Sequence, residues 1–117
     1  MSKKILVVED TEDNCRILRD LLSAAGYDMV EAHDGAEGVA KAAEHKPDLI
    51  LMDIQMPVMD GYEATRRIKA DPALKSIPVI AVTSYALSGD EEKTRAAGCD
   101  GYIAKPYSPR QIGRAHV

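Results

Sequence analysis

A short apolar run that ends on a carboxylate is the feature that most limits how this chain can fold. Residues 49–52 read Leu-Ile-Leu-Met, directly before Asp53, and are too few for a buried helix. Such a run predicts a strand covered on both faces, as in parallel sheets. Pro57 and Gly61 then force a loop and a turn. Because ligands of open α/β sheets lie at the carboxyl ends of the strands, we expect Asp53 at the functional edge.

The rest of the chain alternates similar strands with amphipathic helices. The predicted strands are residues 5–8, 28–32, 49–53, 78–83 and 102–105. The predicted helices are residues 13–25, a helix capped by Asp34, residues 62–70, residues 89–97 and a short last helix from Ser108 and Pro109. Strand and helix alternate five times, which predicts an α/β fold with a parallel sheet and helices on both faces.

Helical periodicity also predicts which side chains face the sheet. The predicted inward residues are Ile17, Leu18, Leu21, Leu22 and Ala25 in the first helix, Ala36, Val39, Ala40 and Ala43 in the second, and Ala64 and Ile68 in the third. The helix at 89–97 carries almost no large apolar residue, so we expect it to be weakly held and able to shift.

Length and composition favour one globular domain. The 117 residues allow a single domain, which we place at residues 3–117. A net charge of −4 without a long Lys/Arg run argues against nucleic-acid binding. The chain has no long apolar run and no signal peptide, so we expect no membrane contact and a cytoplasmic location. Cys15 and Cys99 have no metal-ligand spacing, and we expect both to be reduced thiols.

Polar residues close four of the five predicted strands. These residues are Glu9 and Asp10, Asp53, Thr83 and Lys105. A doubly wound sheet gathers them at one edge, where crowded carboxylates repel unless a cation lies between them. Asp10, Asp53 and the Gln55 carbonyl, which the turn leaves free, form an all-oxygen set that suits Mg²⁺.

This set of groups also predicts phosphoryl chemistry. With a metal ion and Lys105 balancing the charge, Asp53 can act as an oxygen nucleophile toward phosphorus, and Thr83 can donate to a phosphoryl oxygen. Each residue alone has a simpler explanation, since an aspartate after a strand usually makes a turn and a threonine there usually bonds the backbone. The prediction therefore depends on all of them closing the correct strands.

Four segments resemble the receiver domain of bacterial two-component response regulators. They are Val7-Val8-Glu9-Asp10, residues 51–61 (Leu-Met-Asp-Ile-Gln-Met-Pro-Val-Met-Asp-Gly), Val82-Thr83 and Lys105-Pro106. The resemblance extends over residues 3–109. It implies a flavodoxin-like, doubly wound sheet of five parallel strands in the order 2-1-3-4-5.

The resemblance implies a role for each residue at the strand ends. Asp53 would accept a phosphoryl group from a phosphohistidine of a sensor histidine kinase or a histidine phosphotransfer protein. Asp10, Asp53 and the Gln55 carbonyl would bind Mg²⁺, with Glu9 supporting it through water. Thr83 and Lys105 would contact the phosphoryl group. The domain would catalyse only its own phosphotransfer and slow autodephosphorylation, and would not be a turnover enzyme.

The same resemblance implies a switch that controls a downstream effector protein. When Thr83 closes on the phosphoryl group, the Tyr102 ring would move into the space that it leaves. The face formed by the fourth helix and the fifth strand would then change and be read by the effector.

Two other functions use related chemistry or the same fold. Phosphatases of the haloacid dehalogenase type place their nucleophile on the first strand in Asp-x-Asp order, whereas Asp53 is on the third strand and Gln55 follows two residues later. Flavin-binding modules prefer a hydroxyl-rich turn after the first strand, and the acidic residues 9–13 would repel a flavin phosphate. We therefore expect neither function.

The chain departs from the receiver pattern at its end. Receivers close with a long amphipathic helix, but only residues 109–117 remain here, in which Ile112 and Ala115 alone could face inward and Gly113 weakens the helix. We expect a short or truncated last helix, and the last few residues could derive from an expression vector. An exposed apolar flank would then favour a homodimer through the last helix and the tail.

Overall fold

The computed structural model describes residues 3–53, 61–83 and 96–104, with Thr83 and residues 102–104 described by their backbone alone. The strands are β1 (Lys4–Val8), β2 (Asp28–Ala32), β3 (Leu49–Asp53), β4 (Val79–Thr83) and β5 (Gly101–Ala104). The helices are α1 (Glu12–Ala24), α2 (Gly35–His45) and α3 (Gly61–Ala70). The predicted alternation of strands and helices is confirmed over these ranges, and the predicted bounds differ by one residue where they differ.

The five strands form one parallel sheet in the order β2-β1-β3-β4-β5. This is the predicted order. β3 lies in the middle, and all five of its residues are buried. In the register, Val8 of β1 pairs with Met52, and Asp53 pairs with Val82 of β4. The carboxyl ends of β1, β3 and β4 therefore lie side by side.

Alternate residues of β1 and β3 build a core on either face of the sheet. On one face, Leu6 and Val8 join Ile50 and Met52 under α2 and α3. On the other face, Ile5 and Val7 join Leu49 and Leu51, and these pack against Leu18 and Leu22 of α1. Strands covered on both faces need apolar side chains at every position, which explains the unbroken apolar runs.

Asp34 begins α2 as predicted, and glycines in a left-handed conformation follow two helical segments. Asp34 caps α2, because its Oδ1 accepts a hydrogen bond from the Glu37 backbone N–H at 2.7 Å. Gly26 follows α1 with a φ of 87°, a left-handed conformation that glycine adopts without a steric cost. Of the predicted helix at 89–97, the described part contains only Ala96 and Ala97, which are helical and are followed by Gly98 with a φ of 102°.

The predicted inward face of α2 is wrong for three of its four residues. Ala36, Ala40 and Ala43 are exposed, and only Val39 packs against the core. The buried residues of α2 are Gly35, Gly38 and Ala42. The helix is rotated because Gly38, which has no side chain, lets the helix backbone come close to Val8 of β1.

The predicted face of α1 is partly wrong. Leu18 and Leu22 are buried as predicted, but Ile17 is 48% exposed and Ala25 is also exposed. Cys15, which was not predicted to face inward, is buried in the core. The buried stripe therefore runs through Cys15, Leu18 and Leu22, and it is narrower than the apolar stripe of the sequence. In α3, Ala64 and Ile68 are buried as predicted.

Within the described part of the chain, the search for a helix long and apolar enough to cross a membrane finds none. The predicted last helix and the tail lie outside the described residues.

Candidate functional site

Three carboxylates meet at the carboxyl edge of the sheet. Glu9 and Asp10 follow β1, and Asp53 is the last residue of β3, the neighbouring strand. One carboxylate oxygen from each residue lies within 4.8 Å of those of the other two. The structure thus brings together, from two strands far apart in sequence, the three acids that the sequence placed at strand ends.

The three acids differ in how far they are removed from solvent. Glu9 is 1% exposed and Asp53 is 2% exposed, whereas Asp10 is exposed. Partial burial raises the pKa of Asp10, and a hydrogen bond and the charge of Glu9 raise that pKa further. Like charges at this separation disfavour ionisation, so the cluster favours a cation.

The first turn of α1 organises this cluster, a point that the sequence analysis missed. The Thr11 backbone N–H donates to Oε2 of Glu9 at 3.2 Å, and the Thr11 hydroxyl lies 3.5 Å from Oδ1 of Asp10. The Cys15 thiol donates to the Glu9 backbone carbonyl at 3.5 Å. The available signal was the position of Thr11, the N-cap residue of α1 that directly follows the two acids.

The remaining predicted site residues are described only in part. Thr83 ends β4 one position after Val82, the register partner of Asp53, so its backbone lies at the same edge. Tyr102 belongs to β5 and pairs with Ala81, and its side chain is not described. Gln55 and Lys105 lie outside the described residues. The roles predicted for these residues stay predictions.

The donor set fits a hard divalent cation. Glu9, Asp10 and Asp53 offer only oxygen atoms, and small dications such as Mg²⁺ prefer one or two carboxylates completed by water. The exposure of Asp10 leaves one side of the cluster open to solvent and to a ligand. The residues present therefore fit Mg²⁺.

A second group of donors lies beside the first. Glu12, Cys15, Glu31 and His33 each place one donor atom within 4.8 Å of the others. The Arg19 guanidinium is bonded to both carboxyls, at 2.7 and 3.0 Å to Glu31 and at 3.4 Å to Glu12. Arg19 thus already supplies the cation that balances these acids. No role had been predicted for this group.

Comparison with known proteins identifies the family of this chain. The model of the response regulator receiver domain matches residues 5–116 of the chain. The chain belongs to the response regulator receiver domain family. This receiver domain is 50% identical over 113 residues to the polar-differentiation response regulator DivK of Brucella anthropi, covering 96% of this chain and 92% of that protein. DivK of Brucella ovis matches with the same identity and coverage.

Solved receiver structures share the fold of this receiver domain. The receiver domain of the sensor histidine kinase PA1611 from Pseudomonas aeruginosa matches with a TM-score of 0.90 at 38% identity, covering 97% of this chain and 93% of that one. That structure has a magnesium ion coordinated in its active site cleft. The chemotaxis protein CheY4 of Vibrio cholerae matches with a TM-score of 0.90 at 29% identity, covering 97% and 95%.

These matches confirm the predicted flavodoxin-like fold and the predicted family. The receiver domain is a phosphoacceptor module of two-component signal transduction. Receiver domains are in general not turnover enzymes.

Proposed function

We propose that Asp53 is the residue of this receiver domain that accepts the phosphoryl group. The observation that carries this proposal is the meeting of Asp53 with Glu9 and Asp10 within 4.8 Å at the carboxyl edge of the sheet. Asp53 ends the central strand with its neighbours β1 and β4 on either side. A nucleophile there is held by a rigid backbone, which keeps its oxygen aligned with the phosphorus.

The same cluster would hold Mg²⁺ through Asp10, Asp53 and the Gln55 carbonyl, with Glu9 supporting the ion through water. When bound, the ion would neutralise the charge that develops on the phosphoryl oxygens. Thr11 fixes the Glu9 carboxylate through its backbone N–H. Thr83 and Lys105 would contact the phosphoryl group, and the only reactions would be phosphotransfer to Asp53 and slow autodephosphorylation.

The donor of the phosphoryl group would be a phosphohistidine of a sensor histidine kinase or a histidine phosphotransfer protein. The recipient of the signal would be an effector protein that reads the face near β5 and the helix before it, with Thr83 and Tyr102 as the switch residues. We place the protein in the cytoplasm and treat residues 3–117 as one receiver domain. The family match over residues 5–116 supports this extent.

Chemical phosphorylation tests the assignment of Asp53. Acetyl phosphate with Mg²⁺ should label the parent protein at one site, and peptide mass spectrometry should locate the label at Asp53. Asp53→Asn is close to isosteric and should remove the label. Asp48→Asn is the matched control, because Asp48 is an exposed aspartate at the opposite end of β3. Labelling of Asp53→Asn at the parent level would exclude Asp53.

We also propose that the chain forms a homodimer through its last helix and tail. The support is that residues 109–117 carry few apolar side chains. An apolar flank of the sheet would then stay open to a second copy of the chain. Light scattering over a concentration series should show a mass that rises toward two chains. A mass of one chain at every concentration would refute the dimer.

A further inference from the structure

A buried hydroxyl joins two distant parts of the chain. Thr65 of α3 is 0% exposed, and its Oγ1 donates to the Gly61 backbone carbonyl at 2.7 Å. The same Oγ1 accepts a hydrogen bond from the Cys99 thiol at 3.7 Å. The three groups therefore form one chain of hydrogen bonds from Cys99 through Thr65 to Gly61. In such a chain each bond polarises the next.

One end of this chain of hydrogen bonds, Gly61, lies close to Asp53 in the sequence. Gly61 is the buried first residue of α3, and residues 54–60 are all that separates it from Asp53. The position of the Gly61 carbonyl thus fixes the far end of the segment that follows Asp53. A helical threonine often bonds the carbonyl four residues earlier. The contact with Cys99 adds a link that an ordinary helical threonine does not have.

The other end of the chain of hydrogen bonds, Cys99, lies in the turn before β5. Cys99 packs against the core under α3. The next residue, Asp100, makes two hydrogen bonds with the start of β4, one as a donor and one as an acceptor. Its N–H donates to the Val79 carbonyl at 2.8 Å, and its Oδ2 accepts from the Val79 N–H at 2.9 Å. Oδ2 also accepts from Nζ of Lys69 at 2.9 Å. These bonds tie the turn to β4 and α3, so a displacement of Cys99 would be transmitted to them and would not be absorbed by a loose turn.

We propose that Thr65 is a positioning residue that couples the phosphorylation of Asp53 to the turn at Cys99, by a route separate from the predicted Thr83 and Tyr102 switch. This inference rests on the proposed function of Asp53. If phosphorylation displaces the Gly61 carbonyl, the Thr65 hydroxyl follows the carbonyl and loses its contact with Cys99. The states of the two ends are then linked, and the linkage is reciprocal.

The Cys99 thiol is itself a probe of this coupling. Burial raises the pKa of the Cys99 thiol. At neutral pH the thiol therefore stays protonated, as a donor must. Its rate of alkylation depends on access and on its hydrogen bond. Alkylation can be read separately at Cys99 and Cys15 by peptide mass spectrometry in the same sample.

The experiment measures Cys99 alkylation with Mg²⁺ alone and with Mg²⁺ plus beryllofluoride as a phosphoryl mimic. In the parent protein the mimic should change the Cys99 rate by about threefold or more. Thr65→Val keeps the shape of the side chain and removes both hydrogen bonds, so the change should fall below about 1.5-fold. Thr65→Ser keeps the hydroxyl and should retain the parent response. A parent-like response in Thr65→Val overturns the inference.

Cys15 shows whether a variant is simply less stable. Its thiol is fully buried, so a variant that opens more often should alkylate faster at both cysteines without the mimic. If Thr65→Val fails to fold, Cys99→Ala decides the question, because it removes the other partner of the hydroxyl. It should change the rate of Asp53 labelling by acetyl phosphate by about twofold or more. An unchanged rate in this variant then overturns the inference.

Failure of this inference is distinguishable from failure of the proposed function. If acetyl phosphate labels Asp53 but the mimic leaves the Cys99 rate of the parent unchanged, only the coupling through Thr65 is refuted. If Asp53 is not labelled at all, the proposed function fails and the inference fails with it.

Discussion

Gly38 of α2 lies directly against Val8 of β1. A Cβ atom at residue 38 would lie 2.8 Å from Cγ2 and 3.0 Å from Cγ1 of Val8, closer than unstrained carbon contacts. Val8 immediately precedes Glu9, so the contact that seats α2 on the sheet also supports the strand end that carries the acidic cluster.

Gly38→Ala should lower the free energy of unfolding by about 1 to 3 kcal/mol, because the added methyl group overpacks the contact with Val8. Alanine is the better helix former, so propensity alone would give the opposite sign. Urea unfolding measures the change. In a Val8→Ala background the added methyl group has room, and Gly38→Ala should cost much less. An equal cost in both backgrounds would contradict this explanation.

Lys46→Gly should raise the free energy of unfolding by about 1 kcal/mol. Lys46 is the C-cap of α2 and adopts φ 44° and ψ 64°, a left-handed conformation in which a Cβ atom is strained and glycine is favoured. Lys46→Ala removes the same charge but keeps the Cβ atom, so it should give no gain. A gain of equal size from alanine would mean that the charge, and not the backbone, matters.

Glu31→Gln should make stability less dependent on pH. The hydrogen bond from Arg19 holds the pKa of Glu31 below its ordinary value of 4.5, and the charge of Arg19 lowers it further, although burial opposes both. A carboxyl with a lowered pKa stabilises the fold above its ordinary pKa, and this stabilisation is lost as the pH falls through the folded-state pKa.

The melting temperature of the parent should therefore exceed that of Glu31→Gln slightly at neutral pH, and the difference should vanish at acidic pH. Both residues are partly exposed, so the effect is small and should shrink in high salt. Asp20→Asn, at an exposed site on α1, controls for the loss of one negative charge. A difference that persists at acidic pH would mean that the ion pair with Arg19 is not its source.

Mg²⁺ should stabilise the parent protein against thermal unfolding. A ligand that binds only the folded state adds about 2.7 kcal/mol when its free concentration is about 100 times Kd. Asp10→Ala should weaken this effect, because Asp10 contributes one of the three clustered carboxylates. Asp13→Ala, at an exposed site in the first turn of α1, is the control and should respond as the parent does. An Mg²⁺ titration unchanged in Asp10→Ala would remove this residue from the site.

The sequence by itself determined the sheet and the acidic edge. Unbroken apolar runs leave few alternatives to strands buried on both faces. Once these strands are parallel, Glu9, Asp10 and Asp53 must come to the same edge, because each directly closes its strand. Alternating elements and right-handed crossovers then restrict the order of the strands.

Only the tertiary structure decided how the helices are rotated and which small residues matter. Periodicity identified α2 but placed Ala36, Ala40 and Ala43 inward, and these residues are exposed. Alanine and glycine gain little from burial, so their pattern does not fix the rotation of a helix. The rotation is set by how closely two backbones approach, as at Gly38 and Val8.

The link from Thr65 to Cys99 was equally invisible in the sequence. The two residues are 34 positions apart, and neither has a spacing that indicates the other. Close packing and hydrogen bonding between remote side chains depend on distances of a few tenths of an ångström. A sequence pattern determines which residues share a face, whereas such distances arise only when every element has been packed against its neighbours.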